Sequence, residues 1–239
     1  MPARKKNIRT VLLTAASRVD LLKGLYALDE PVPPRHVRLG WQVEQWAVIR
    51  LLLSLPPARL TFPLILTKDE KPDFILSLGE CDIAIEHTEA VSQKEAHIVA
   101  VQGAMRDAGT PIPRVHPEEI RHPTDVPLSR KEAQAYQHTM TPYVGAAMED
   151  NWLEAMQHFI GEKLGKYPTY APSSTRTVLV YDNWGPTGVD LAEGSRRLQE
   201  WLLATKAYDI INSVFLIHSK TLLEMTSSGV ISHQLLSPP

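Results

Sequence analysis

The stretch that decides the reading of this chain is Lys71-Pro72-Asp73-Phe74-Ile75-Leu76, followed by Ile83-Ala84-Ile85-Glu86-His87-Thr88. Between the two runs lies Gly79-Glu80, a pair suited to a tight hairpin turn with glycine first. A two-residue turn there pairs Leu78 with Cys81 and places Asp73 directly opposite Glu86. Opposite side chains of an antiparallel pair share a face, with Cβ atoms roughly 5 Å apart. Glu86 and Thr88 share that face as well, whereas His87 points to the other side. Two carboxylates so placed repel, which makes sense if a divalent cation sits between them. The competing reading is a solvated face on which the acids splay apart, and the apolar neighbours on both strands argue against it. A longer turn would shift the register and dissolve the pair.

Upstream, Gly40 to Leu55 reads as a helix closed by Pro56-Pro57, and Leu60 to Leu66 as a strand interrupted by Pro63. Residues 1–38, with Pro31, Pro33 and Pro34, read as an N-terminal arm or extension with little regular structure. Downstream, residues 93–145 read as an insertion or lid with helix near 92–107 and 128–138. His116 and His122 in that segment read as polar loop residues, with contact to a substrate as the alternative. A helix from Glu149 to Gly165 carries Trp152, Met156, Phe159 and Ile160 on one stripe. Thr177–Tyr181 and Ser213–Ile217 read as strands. Between them a helix begins at Asp190, with Glu193 in capping-box position. Thr221 to Leu235 reads as a hairpin. Early hairpins followed by helix–strand alternation predict an α/β (mixed α+β) fold, a central mixed β-sheet flanked by helices.

The composition fits one domain over residues 1–239. Hydrophobic residues make up 44% of the 239, enough for one sizeable core. The formal net charge of -2 supplies no global field for nucleic acid, so any such contact depends on a local patch. The lone Cys81 excludes a disulfide framework and a cysteine-rich zinc site, and fits a reducing cytoplasm. No run approaches the roughly 20 apolar residues of a membrane span. Gly-rich phosphate loops, a dinucleotide fingerprint and a Gly-x-Ser-x-Gly elbow are all missing from the sequence.

Pro72-Asp73, then a hairpin, then Glu86-His87-Thr88, resembles the PD-(D/E)xK nuclease superfamily. The similarity is closer to its bacterial and phage members with a Pro-Asp-Phe core followed by an Ile-Glu-x-Thr-Glu strand. The downstream order matches too: Glu162-Lys163-Leu164-Gly165-Lys166-Tyr167 on a helix, then Val178 to Asp182 on a strand. The resemblance implies a restriction-endonuclease-like core, Mg²⁺ or Mn²⁺ at Asp73 and Glu86, and hydrolysis of phosphodiester bonds, DNA foremost, in a bacterial defence or mobile-element setting. It also implies an acid from the first helix, for which Glu44 is the candidate; on its own residue type Glu44 reads as a solvated boundary residue.

The chain departs from the superfamily pattern at Thr88, which stands where a lysine is usual. A lysine there orients water and offsets phosphate charge, and threonine does neither well. The steps 152, 156, 159, 163, 166 place Lys163 and Lys166 on the stripe begun by Trp152. Each either snorkels to the helix edge or enters a site between helix and sheet. Lys163 is the first candidate for a replacement, Lys166 the second and Lys94 the third. Two function classes therefore stand side by side: a metal-dependent nuclease, and a catalytically inactive nuclease-fold protein that binds nucleic acid or protein. A homodimer or a partner subunit supplying basic surface is compatible with either.

Overall fold

The computed structural model describes residues 9–110, 122–136, 147–170, 173, 175–184 and 188–237. Eight strands form one sheet in chain order: β1 (Thr10–Ala15), β2 (Leu64–Lys68), β3 (Phe74–Leu78), β4 (Cys81–Ala90), β5 (Thr175–Asp182), β6 (Ser213–His218), β7 (Thr221–Thr226) and β8 (Gly229–Gln234). The outer pairs are antiparallel, whereas β4–β5 and β5–β6 are parallel. The described helices are α1 (Arg18–Leu28), α2 (Gly40–Ser54), α3 (Gln93–Asp107), α4 (Arg130–Ala135), α5 (Ala147–Lys166) and α6 (Leu191–Ala204). The fold is thus α/β, with a mixed sheet flanked by helices.

Parallel strands need long crossovers, and here these carry the helices. The sheet is consequently buried on both faces, and alternation along each strand sorts side chains between two cores. On one face Ile85, Leu179, Phe215 and Ile217 join Leu21 and Leu25 of α1 and Leu51 and Leu52 of α2. Ala84, Val178, Val180, Val214 and Leu216 meet Trp152, Met156, Ile160, Leu198 and Leu202 on the other.

The N-terminal arm read from the sequence is corrected here. Residues 10–28 form β1, which pairs with β2, and α1, whose Leu21 and Leu25 are fully buried. The signal lay in Ser17-Arg18-Val19-Asp20: the Ser17 side chain accepts from the Asp20 N–H and caps α1. The strand expected at 60–66 instead begins at Leu64, since Pro63 has no N–H to give the ladder, and it runs on to Lys68. Of the segment 93–145, the described parts are α3 and α4, tied by Gln102 Nε2 donating to the carbonyls of Ala133 and Tyr136. His116 lies outside the described residues, and His122 is exposed near Glu154. No helix among the described residues is long and apolar enough to cross a membrane.

Candidate functional site: an acidic pair with two lysines

The β3–β4 hairpin has the two-residue turn, with Gly79 at φ +61, a conformation glycine adopts without strain. Leu78 pairs with Cys81 and Phe74 with Ile85, so Asp73, one residue before β3, stands opposite Glu86. The Asp73 carboxylate turns inward and accepts from the backbone N–H of His87 at 2.8 Å. Beyond this point β4 continues to Ala90, past the end of its ladder with β3. The pair therefore sits where β4 outruns its β3 partner, with α2 on one side of β4 and α5 on the other.

Alternation sends Glu86 towards α5. Its carboxylate is nearly inaccessible, and Lys163 Nζ of α5 donates to it at 2.7 Å. The same ammonium lies 3.6 Å from Asp73 Oδ2. Two unit charges about 5 Å apart at an effective dielectric near 20 repel by roughly 3 kcal/mol, so a cation shared by both acids decides whether the pair is tolerable. From the α2 face Lys68 Nζ reaches Glu44 at 2.5 Å and Asp73 Oδ1 at 4.0 Å, its ammonium lying over the Phe74 ring. Asp73 thus touches a lysine from each face of the sheet. Tyr170, just past α5, lies on the α5 side: burial and the neighbouring carboxylates of Glu86 and Asp73 push its phenol above the usual tyrosine range. The phenol is therefore neutral at ordinary pH.

Of the residues singled out in the sequence, the structure brings Asp73, Glu86 and Lys163 into direct contact. Glu44 lies beside them but meets Lys68 rather than the acidic pair. Lys166 is exposed at the end of α5, and among the described residues it makes no ion pair with either acid. Lys94 Nζ lies over the Tyr136 ring instead. Thr88 is half-buried and lines a pocket of about 400 Å³ together with Arg35, Arg38, Glu44, His87 and Glu89. His87 faces the α2 side, away from Glu86, as strand alternation requires. A larger open groove of about 530 Å³ lies elsewhere, between α6 and the β7–β8 hairpin, away from the acidic pair.

Lys68, Tyr170, Arg35 and Arg38 escaped the sequence reading. Lys68 had a usable signal, because it extends the face of Leu64 and Leu66 at period two. Tyr170 had none, since it is placed by a turn after the helix.

The donor set can be judged for a divalent metal. Among the described residues, no three His, Cys, Asp or Glu side chains converge on one point. Two carboxylates do, and that number suits Mg²⁺, which keeps several waters and takes the rest of its shell from substrate phosphate. It suits neither zinc nor a calcium cage. Family models, curated proteins and solved structures were each compared with the chain, and none matches it.

Proposed function

We propose that this chain is a metal-dependent nuclease with a restriction-endonuclease-like core, hydrolysing phosphodiester bonds of nucleic acid, DNA foremost. The observation that carries the reading is the opposition of Asp73 and Glu86 where β4 outruns β3, with Lys163 shared between them. Asp73 and Glu86 would hold Mg²⁺ or Mn²⁺, and the bound ion would supply an acidified water and charge stabilisation at the phosphorus.

The chain's own residues divide the remaining work. The His87 N–H fixes one oxygen of Asp73 and so orients the carboxylate. Lys163 ion-pairs with both acids in the resting protein, and it stands within reach of the negative charge that builds up on a phosphate in the transition state. In this reading Lys163 takes the part that Thr88 cannot. Tyr170 lies near Glu86 on the α5 side as a neutral phenol. Lys68, held by Glu44, contributes a second positive charge from the α2 face.

The second reading, a non-cutting binder, is favoured by one observation: both lysines near the acids are already engaged with carboxylates. A single experiment separates the two. Purified protein is incubated with single- and double-stranded DNA and RNA, with Mg²⁺, Mn²⁺ or chelator, alongside Asp73→Ala, Glu86→Ala and Lys163→Ala. Metal-dependent cutting that disappears in all three folded variants supports the nuclease. Cutting that persists in Asp73→Ala and Glu86→Ala sinks it, and no cutting by folded wild type transfers the argument to the binder.

A further inference from the structure

A second cluster of charge lies on the α2 face of β4, beside the acidic pair. Pro34 starts a turn that brings Arg35 and Arg38 over the end of the strand. Arg38 Nη2 contacts both oxygens of Glu89, at 2.6 and 2.7 Å, and Arg35 Nη2 contacts Oε1 at 2.6 Å. Asn183 Nδ2 donates to the same oxygen at 2.8 Å. The three charged side chains are only 12 to 16% exposed. Two guanidiniums thus share one carboxylate in a largely dry place, which leaves one positive charge in excess. Burial works against the Glu89 charge, but Arg35, Asn183 and Arg38 together hold its carboxyl below the usual range.

Three further features of the same pocket point to an anion. The Arg35 and Arg38 guanidiniums hydrogen-bond through Nη2 among the described residues, which leaves Nε and Nη1 of each five-donor fork without a protein acceptor there. Gly40, at the first turn of α2, also lines the pocket, and the N-cap Leu39 offers no side-chain acceptor to the first N–H groups. His87 is 6% exposed, lines the pocket, and its Nε2 has no hydrogen-bond partner among the described residues. A buried polar atom left without a partner is one that a ligand or an ordered water would satisfy. Glu44, the other acid of the lining, is neutralised by Lys68.

We propose that this pocket binds a phosphate group of the nucleic-acid substrate next to the one that is cut, using Arg35, Arg38, His87 Nε2 and the first turn of α2. Guanidinium forks and helix N-termini both match phosphate oxygens, and the pocket continues the open stretch of β4 that starts at Glu86. The identity of the substrate rests on the nuclease reading; the anion site does not. The phosphate is either a strand terminus or an internal backbone group, which share the same chemistry.

The test is binding measured in chelator, so that no cleavage enters. Fluorescence anisotropy compares oligonucleotides bearing a 5′-phosphate, a 3′-phosphate or only hydroxyl ends, on wild type, Arg35→Gln, Arg38→Gln, Arg38→Lys and Glu89→Gln, each checked for folding by circular dichroism. Loss of one hydrogen-bonded charge predicts a rise in Kd of roughly tenfold or more for Arg35→Gln and Arg38→Gln. Arg38→Lys falls between them and wild type. Glu89→Gln, which removes the competing carboxylate, binds tighter than wild type, an outcome a merely structural clamp would not produce. A terminal-phosphate pocket shows these differences only with one phosphorylated end, whereas a backbone pocket shows them with every oligonucleotide. Equal affinities for folded wild type, Arg35→Gln and Arg38→Gln, or no binding by wild type, overturn the proposal. Binding that behaves as expected without any metal-dependent cutting overturns the nuclease and leaves the pocket standing.

Discussion

Two buried glutamates of the same sheet make an instructive contrast. Glu224 on β7 is as inaccessible as Glu86 on β4. Each is met by a cation, Glu224 by Arg59 at 2.7 Å and His233 at 3.2 Å, Glu86 by Lys163 at 2.7 Å. The surroundings differ. Glu224 pairs with Phe215 on one side and Ile231 on the other, so strands enclose it and its neighbours include no second acid in ion-pair contact with Arg59 among the described residues. Glu86 stands where the β3 ladder has ended, with another carboxylate opposite and one ammonium divided between two acids. A buried carboxylate alone therefore marks nothing. Like charges held together where one strand outruns its partner are harder to explain by stability, since native folds seldom gather repelling groups without a ligand to reward it.

The largest expected effect tests that distinction on activity. On the nuclease reading proposed above, Glu86→Gln should lower metal-dependent cleavage by about 100-fold or more, the scale seen when one preorganised charge is removed from a reacting centre. Glu224→Gln, in the same sheet, should leave cleavage within about twofold. Steady-state rates on a single DNA substrate suffice. Equal losses in two folded variants would mean that burial, not the acidic pair, governs activity.

The pair was readable in advance because two local rules pointed the same way. The turn Gly79-Glu80 sets the register, and strand alternation then fixes which residues share a face, so Asp73 and Glu86 follow from spacing. Lys163 followed from helical periodicity, since α5 must turn its Trp152–Met156–Phe159 stripe to the sheet. Lys166 continued the same stripe on paper but is the last residue of α5 and is exposed. Glu44 was placed by resemblance, and its geometry gives it Lys68, a residue beyond the strand end expected at Leu66. Arg35 and Arg38 were beyond reach for a different reason. A turn at Pro34 puts them on Glu89 across more than 50 positions of chain, and no local periodicity encodes such a contact. The same holds for β1, whose partner β2 is reached only after α1 and α2.

A middling effect sharpens the contrast through stability. Lys163→Met leaves Asp73 and Glu86 facing each other without their shared ammonium, and the loss should be about 3 kcal/mol in urea denaturation without metal. Millimolar Mg²⁺ should recover part of it. Arg59 is half-exposed, so Arg59→Met should lose no more than about 1 kcal/mol, with no response to Mg²⁺. Mg²⁺ restoring both variants alike would show that the ion acts on the whole fold rather than at the acidic pair.

The smallest effect comes from a third buried acid that separates position from charge crowding. Asp182 ends β5 opposite Ala90, at the far end of the stretch of β4 that begins at Glu86; its carboxylate, like that of Glu224, is buried without an opposing carboxylate in contact among the described residues. It accepts from Trp152 Nε1 at 2.6 Å and from His218 Nδ1 at 2.7 Å. The hydrogen bond to Asp182 outweighs burial and raises the His218 pKa above 6.5. A histidine raised in the folded state binds its proton more tightly there than in the unfolded chain, so its stabilisation is complete below about pH 6.5 and fades as pH climbs through the folded value. His218→Gln should therefore lower stability by about 1 kcal/mol at pH 5.5 and progressively less towards pH 9, read from denaturation midpoints across that range. Cleavage by the variant should stay within about twofold of wild type at every pH. If His218→Gln instead removes cleavage as thoroughly as Glu86→Gln, then lying along that stretch of the parallel strands is what matters, and the opposed pair of carboxylates loses its special standing.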